Sequence, residues 1–257
     1  MSTLDKAAEL QRLHTDPDLL VLVNVWDVIS ARTVAGVPGT RALATASHSI
    51  ASAHGYPDGE QIPRDLMIEA VGRIAAAVDL PVTADLEAGY GDPGGTVDRA
   101  IDVGIVGANL EDQLKPLPDA VRAVSQAVAA GERAGIPFVL NARTDAFLRA
   151  GDRAPDAVLA DAIERGRAYL DAGASTVFVP GLLDEPTVTA LVQALGERRV
   201  NLIAVPGSLP LDTLQQLGVA RVSFGPWSQN VALTALEDLT ASVHAGGALP
   251  EGTRRLN

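Results

Sequence analysis

The feature that most constrains this chain is an alternation repeated eight times. Short runs of β-branched and apolar residues fall at 19–26 ("LLVLVNVW"), 41–47, 81–87, 107–112, 137–143, 175–180, 200–207 and 220–226. Each is followed by a longer, often alanine-rich segment with charges at helical spacing, at 27–36, 62–78, 95–104, 119–134, 155–172, 185–197, 209–217 and 228–243. The returns "RAGIP", "DAGAS" and "LGVAR" put glycine where a helix stops, and Asp184 before Pro186 and Ser208 before Pro210 read as helix starts. Nearly continuous apolar strands joined by helical crossovers imply a parallel sheet covered on both faces. Eight such units in 257 residues predict an α/β fold, a TIM-type (β/α)8 barrel filling residues 1–257 as one domain with a C-terminal helical extension. A doubly wound open sheet is the competing architecture.

Composition removes several functions. A formal net charge of −12 without a segregated basic patch disfavours nucleic-acid and anionic-membrane partners, because those surfaces repel an acidic protein. No stretch of about 18 apolar residues runs unbroken, and the opening "MSTLDKAAELQRLH" is amphipathic rather than a secretory signal, so a cytoplasmic location is expected. The chain has no cysteine, which excludes a thiolate nucleophile and a cysteine-ligated metal. Any chemistry must use oxygen, nitrogen or a hard cation.

In a barrel of this kind chemistry collects at the C-terminal ends of the strands. The polar residues fall there: Asn24 and Asp27 after the first run, Ser47 and His48 after the second, Asp85 and Glu87 at the third, Glu111 and Asp112 at the fourth, Asn141 and Arg143 at the fifth. Strand alternation would put Asp85 and Glu87 on one face, where two uncompensated carboxylates cost several kcal/mol. A cation between them is therefore expected, and all-oxygen ligands point to Mg or Mn. Capping of the next helix, or pairing with Arg99 or Arg143, competes as an explanation for either acid alone. Glu111 at the equivalent place on the next strand weakens it.

The same residues carry a resemblance. "ADLEAGYGDP", "GIVGANLEDQ" and "NARTDAF", with the upstream "NVWDVISARTV" and "ALATASHSIASAHGYPDGE", resemble the motifs of the phosphoenolpyruvate mutase and isocitrate lyase superfamily from about Asn24 to Pro180. The resemblance implies a Mg-dependent barrel that makes or breaks the bond β to the carbonyl of a 2-oxo acid. It implies Asp85 as the direct metal ligand, with Asp58, Glu87 and Glu111 holding metal-bound waters. Arg143 would grip the substrate carboxylate, and the backbone around Ala46, Ser47 and His48 would supply N–H donors to it. It also implies a homodimer or homotetramer that exchanges a C-terminal helix. The segment "FGPWSQNVALTALEDLTASV" offers such a helix, with Trp227, Val231, Leu233 and Leu236.

The departures shape the expected function. The superfamily's lyases of citrate type carry a catalytic cysteine after the fourth strand, and its mutases and phosphonopyruvate hydrolases carry Lys with Asn or Thr in a gating loop. Here the connection is "DQLKPLPDAVRAV", with Lys115 its one candidate. After the sixth strand Pro180 and Gly181 replace the polar residues often found there. What stays equipped is carbon–carbon cleavage of a small 2-oxo acid or 2-hydroxy diacid through a metal-stabilised enolate, by decarboxylation or retro-aldol chemistry. A phosphonate-forming mutase or phosphonopyruvate hydrolase, and a 2-oxo acid-binding protein with little turnover, are the alternatives. His48 is a candidate acid, base or hydrogen-bond donor, though a loop histidine at the surface fits as well. Tyr90 is a candidate proton donor to the enolate. Trp26 is counted among the substrate contacts, although it and Trp227 also suit core or dimer packing. His14 and His244 read as surface residues of terminal helices.

Overall fold

A computed structural model describes residues 1–256. The strands are β1 (Leu20–Leu22), β2 (Asn24–Val25), β3 (Leu43–Thr45), β4 (Val82–Asp85), β5 (Gly107–Glu111), β6 (Val139–Arg143), β7 (Thr176–Val179), β8 (Val200–Ile203) and β9 (Arg221–Ser223). All pairings are parallel, in the order β1-β9-β8-β7-β6-β5-β4-β3-β2. Nine strands make an eightfold barrel because the first predicted strand is broken at Val23. Its first half, β1, pairs with β9, and its second half, β2, pairs with β3. Asn24 spans the break: its Oδ1 accepts from the N–H groups of Phe224 (2.7 Å) and Gly225 (2.8 Å), and its Nδ2 donates to the Thr45 carbonyl at 2.8 Å.

The helices are α1 (Thr3–Thr15), α2 (Val28–Ala35), α3 (Ser47–Ala53), α4 (Arg64–Ala76), α5 (Pro93–Asp102), α6 (Leu117–Ala134), α7 (Pro155–Asp171), α8 (Glu185–Leu195), α9 (Leu211–Gln216) and α10 (Trp227–His244). They cover the barrel, as the alternation predicts. Asp184 caps α8, accepting from the Thr187 N–H at 3.0 Å. Ser208 does not cap α9; its hydroxyl instead accepts from the Val205 N–H within the preceding turn. Ser47, read from sequence as the end of a strand, opens the short helix α3. Its run "SHSIASA" has too few residues to show a helical period.

Two ends of the barrel differ in kind. At the N-terminal end α1 lies under the strands and inserts Ala7, Leu10 and Leu13 against Leu20, Leu22, Ala44 and Val139, all buried. His14 belongs to this plug and is 3% exposed, not a surface residue. Its Nδ1 donates to the Leu10 carbonyl at 2.8 Å, and burial, with the positive charges of Arg221 and Arg198, lowers its pKa to about 3. Above the plug is a polar layer in which Thr176 donates to Asn141, Asn141 to Asn109 (both 2.7 Å) and Arg221 to Asn109 at 3.3 Å. The opposite end is the mouth. Among the described residues no helix is long and apolar enough to cross a membrane.

Candidate active site

The segment after β4 is built to leave the strand abruptly. β4 ends at Asp85, and Glu87 (φ 52°), Gly89 (φ 90°), Tyr90 (φ 54°) and Gly91 (φ 74°) all take the left-handed conformation. A Cβ at Gly89 would sit 2.7 Å from the Pro93 Cα, so glycine is required. Non-glycine residues at positive φ cost about 1–3 kcal/mol each and gather at functional sites. Strand alternation is therefore not what brings Glu87 near Asp85. The turn does so: Glu87 N–H approaches Asp85 Oδ1 at 3.4 Å, and the Glu87 carboxylate lies 2% exposed beneath the loop that follows α3.

That loop clamps it. The Glu60 N–H donates to Glu87 Oε2, the Tyr90 N–H donates back to Glu60 Oε1, and the Tyr90 hydroxyl donates to Glu87 Oε1 at 3.0 Å. Glu60 is a residue that sequence reasoning missed; its signal was the Gly59-Glu60 step after Asp58, with Glu60 itself at φ 60°. Tyr90 thus spends its hydroxyl on Glu87, with its pKa pushed up by burial and by that carboxylate. It does not line the mouth cavity, and its role as proton donor to a substrate is not what this geometry offers.

Burial pushes the Glu87 pKa up to about 7, against its hydrogen bonds from Glu60 and Tyr90, and the charges of Asp85 and Asp58 push the same way. Glu111, at the end of β5, is also pushed up to about 7, chiefly by burial, with Arg143 opposing and Asp145 and Asp85 adding to it. Two carboxyls this poorly ionised beside further acids describe a site short of positive charge. The donor set of Asp85, Glu87, Glu111 and Asp58 is all oxygen, which fits a hard divalent cation. Among the described residues no three such groups converge closely enough to be direct ligands together. An ion here would take few protein oxygens and keep several waters, as magnesium commonly does.

Arg143, at the end of β6, is held by two acids: Nη1 lies 2.8 Å from Glu111 and Nε 2.7 Å from Asp145. Both ion pairs leave Nη2 for a third partner. Asp112, next to Glu111, faces away from the mouth and is buried against Arg165 (3.1 Å) and the Tyr169 hydroxyl (2.6 Å), a structural role. Asp27 caps α2 at 2.7 Å from the Ser30 N–H.

The backbone donors expected around residues 46–48 are partly committed. The Ala46 N–H donates to the Val25 carbonyl at 3.3 Å, so it is not free for a substrate. The Ser47 N–H (3.2 Å) and hydroxyl (2.8 Å) both donate to Asp85 Oδ2, orienting that carboxylate. His48 is exposed and lines the mouth. Trp26 does not line this cavity: it lies over a separate depression with Leu66 and Arg73 between α2 and α4. Its place in the mouth is taken by Trp227, which opens α10 and is 37% exposed.

The mouth cavity, of about 400 Å³, has a polar side formed by Ser47, Asp58, Asp85, Asn109 and Arg143 and an apolar side formed by Phe178, Leu182, Ile203, Val205 and Trp227. A second depression adjoins it across Arg143, bounded by Glu87, Glu111, Asp145, Lys115 and Arg149.

Comparison with known proteins agrees with this arrangement. The family model described as phosphoenolpyruvate phosphomutase matches residues 10–244. An uncharacterised protein of Mycobacterium tuberculosis is 35% identical over 93% of this chain and 90% of its own length. The 2,3-dimethylmalate lyase of Eubacterium barkeri is 24% identical over 92% of this chain and 85% of its own. The structure of oxaloacetate acetylhydrolase in complex with the product oxalate superposes with a TM-score of 0.86 at 27% identity, covering 98% of this chain and 92% of that one. The match of the family model across the barrel and its mouth means that this chain belongs to the phosphoenolpyruvate phosphomutase family, within the phosphoenolpyruvate mutase and isocitrate lyase superfamily.

Proposed function

We propose that the protein is a lyase dependent on Mg or Mn that cleaves a carbon–carbon bond of a small 2-oxo acid or 2-hydroxy diacid by way of an enolate. The observation that carries this reading is the pair of carboxyls, buried Glu87 and half-buried Glu111, both raised to about 7 and grouped with Asp85 and Asp58 beside one guanidinium. A stable barrel has no reason to gather acids it cannot neutralise unless a cation completes them. Asp85, oriented by Ser47, would hold the ion, with Glu87, Glu111 and Asp58 accepting from its waters. The ion, when bound, supplies the charge that stabilises a developing enolate.

The chain's own residues do the rest. Arg143, fixed by Glu111 and Asp145, would present Nη2 to the substrate carboxylate without having to be ordered at the moment of binding. The clamp of Glu60, Tyr90 and the left-handed turn keeps Glu87 in place. His48 is a titratable group at the rim of the cavity that could exchange a proton with the departing fragment. The names of the relatives support a lyase, a mutase or a hydrolase for each of those proteins, and the connection at 112–116, which has no Asn or Thr, favours the lyase here.

The test is turnover of a panel of 2-oxo acids and 2-hydroxy diacids with and without Mg, with phosphonopyruvate in the same panel. Mg-dependent release of a 2-oxo acid or of carbon dioxide is the expected outcome. Turnover of phosphonopyruvate alone would replace the lyase with the phosphonate reading, and Mg-dependent binding without turnover would leave a 2-oxo acid-binding protein.

Assembly is part of the proposal. α10 has only Gln229 buried, while Val231 (71%), Leu233 (52%) and Leu236 (58%) stand exposed. A helix with such a face is stable when a second copy covers it, so a homodimer or homotetramer is expected. Light scattering that returned a 26.6 kDa monomer would refute it.

A further inference from the structure

The two sides of the mouth cavity stand opposite each other in the barrel. Counting β1 and β2 as the one strand they interrupt, β4 and β8 are separated by three strands in either direction around the sheet, so they face each other across the barrel. Asp85 ends β4, whereas Ile203 ends β8 and Val205 follows it. Phe178, on β7 beside β8, is in register with Arg143 on β6 and shares its face of the sheet. The acids and Arg143 therefore occupy one half of the rim. Phe178, Leu182, Ile203, Val205 and Trp227 form the other.

Leu182, 62% exposed, is a large apolar side chain left facing the cavity above a polar floor, which marks a surface built to be covered by a ligand. Among the Lys and Arg side chains of the described residues only Arg143 lines this cavity. Lys115 and Arg149 lie in the adjoining depression, where Asp58, Glu87, Glu111 and Asp145 outnumber them. Arg149 is moreover 3.5 Å from Asp145. Among the described residues no Lys or Arg on the β7–β8 side would pair a second substrate carboxylate.

We propose that the end of the substrate remote from the metal is an uncharged alkyl or aryl group lodged against Phe178, Leu182 and Ile203, so that the site prefers 2-oxo monoacids to 2-oxo diacids. This rests on the reading of the metal and Arg143 given above, and of the reactions named there it keeps retro-aldol cleavage of a 4-hydroxy-2-oxo acid, whose departing aldehyde carries the alkyl or aryl group; decarboxylation to an enolate would need a second carboxylate. A substrate anchored by its carboxylate and carbonyl on the β4–β6 side has only the opposite wall for its remaining carbons. Burial of each methylene there strengthens binding, whereas a carboxylate would be stripped of water with no cation to meet it.

The experiment is calorimetry with Mg present, using oxalate as a probe of the chelating head alone. The tails are then varied through pyruvate, 2-oxobutyrate and 2-oxopentanoate, with 2-oxoglutarate as the charged counterpart of the last. Affinity should rise about fourfold per methylene at full burial, and 2-oxoglutarate should bind at least about tenfold more weakly than 2-oxopentanoate. Leu182→Ala should flatten the series, and Leu182→Arg should turn the preference toward 2-oxoglutarate, both without changing oxalate affinity. If oxalate binds but the series is flat, or 2-oxoglutarate binds as well as 2-oxopentanoate, the apolar wall is not a substrate contact and the proposal falls alone. If no probe binds, oxalate included, the reading of the metal site falls and takes the substrate class with it.

Discussion

The two ends of the barrel bury polar groups in opposite ways. At the floor His14 is kept neutral, its Nδ1 proton used on the Leu10 carbonyl, and it lies buried on the same helix as Leu10 and Leu13. At the mouth Glu87 and Glu111 are kept partly protonated by burial although other acids surround them. The floor pairs part of its polarity within the chain, though His14 Nε2 and, in the layer above it, Nε and Nη1 of Arg221 have no hydrogen-bond partner. The mouth leaves an excess of negative charge that only something from outside can neutralise. Burial of a polar group is thus no sign of function by itself, and neither is one unpaired charge such as Arg221; a cluster of like charges opening on a cavity is.

The contrast breaks most readily at Arg143. Arg143→Ala should lower kcat/KM on the substrate found by the panel by about 2–5 kcal/mol, roughly 30-fold to several thousandfold, with Arg143→Lys rescuing poorly because it lacks the planar fork. Parental rates in both variants would make Arg143 a salt bridge and nothing more. The matching change at the floor is Leu10→Ala, which should cost about 2–5 kcal/mol of stability through the cavity it leaves. Its measure is denaturant unfolding, and activity per folded molecule should stay unchanged. A loss of activity without a loss of stability would erase the division between the ends.

A smaller effect sharpens the metal side. Mg at about a hundred times its Kd should stabilise the parent by about 2.7 kcal/mol, and Asp85→Asn should abolish that gain in thermal melts. In the metal-free protein Glu87 and Glu111 titrate near 7 rather than near 4.5, so the folded state holds protons that the unfolded state has released. Their effect is a stability that declines as pH rises from about 4.5 to 7, and the gain from Mg should be largest above that window. His14 runs the other way. Its folded pKa is about 3 against an ordinary 6.5, so the unfolded chain takes up a proton that the fold refuses. Stability should fall as pH drops from 6.5 toward 3, by up to about 1.4 kcal/mol per pH unit, and His14→Gln should remove that slope. An unchanged slope in the variant would place His14 outside the buried plug.

The sequence made the barrel legible because alternation of strand and helix is a property of local period, repeated eight times. The acids at strand ends were legible for a related reason: Asp85, Glu111 and Arg143 close apolar runs where charge has no ordinary business. Glu87 was found by the wrong argument, since a left-handed turn and not strand alternation carries it there. Glu60 and the commitment of the Ala46 N–H depend on which backbone groups meet across loops, and no period in the chain encodes that. His14 was misplaced, and Trp26 lies off the mouth cavity, for a common reason. The side of a strand end or helix that faces the interior is set by neighbours some distance away in sequence, as when α1 closes under the barrel.

The broken first strand sets the order in which the molecule can be completed. β1 has its ladder partner in β9, and Asn24 receives the N–H groups of Phe224 and Gly225 about 200 residues further along the chain. A ribosome releasing this chain must deliver nearly all of it before that pairing can form, and until then Leu20 and Leu22 have no β9 edge to join. Closing so long a loop is entropically late, and the open edge is a template for strands of other chains in the meantime. Products ending before Arg221 should therefore accumulate as aggregates with exposed strand edges, while addition of the last few residues of β9 should restore a closed barrel in a single cooperative step.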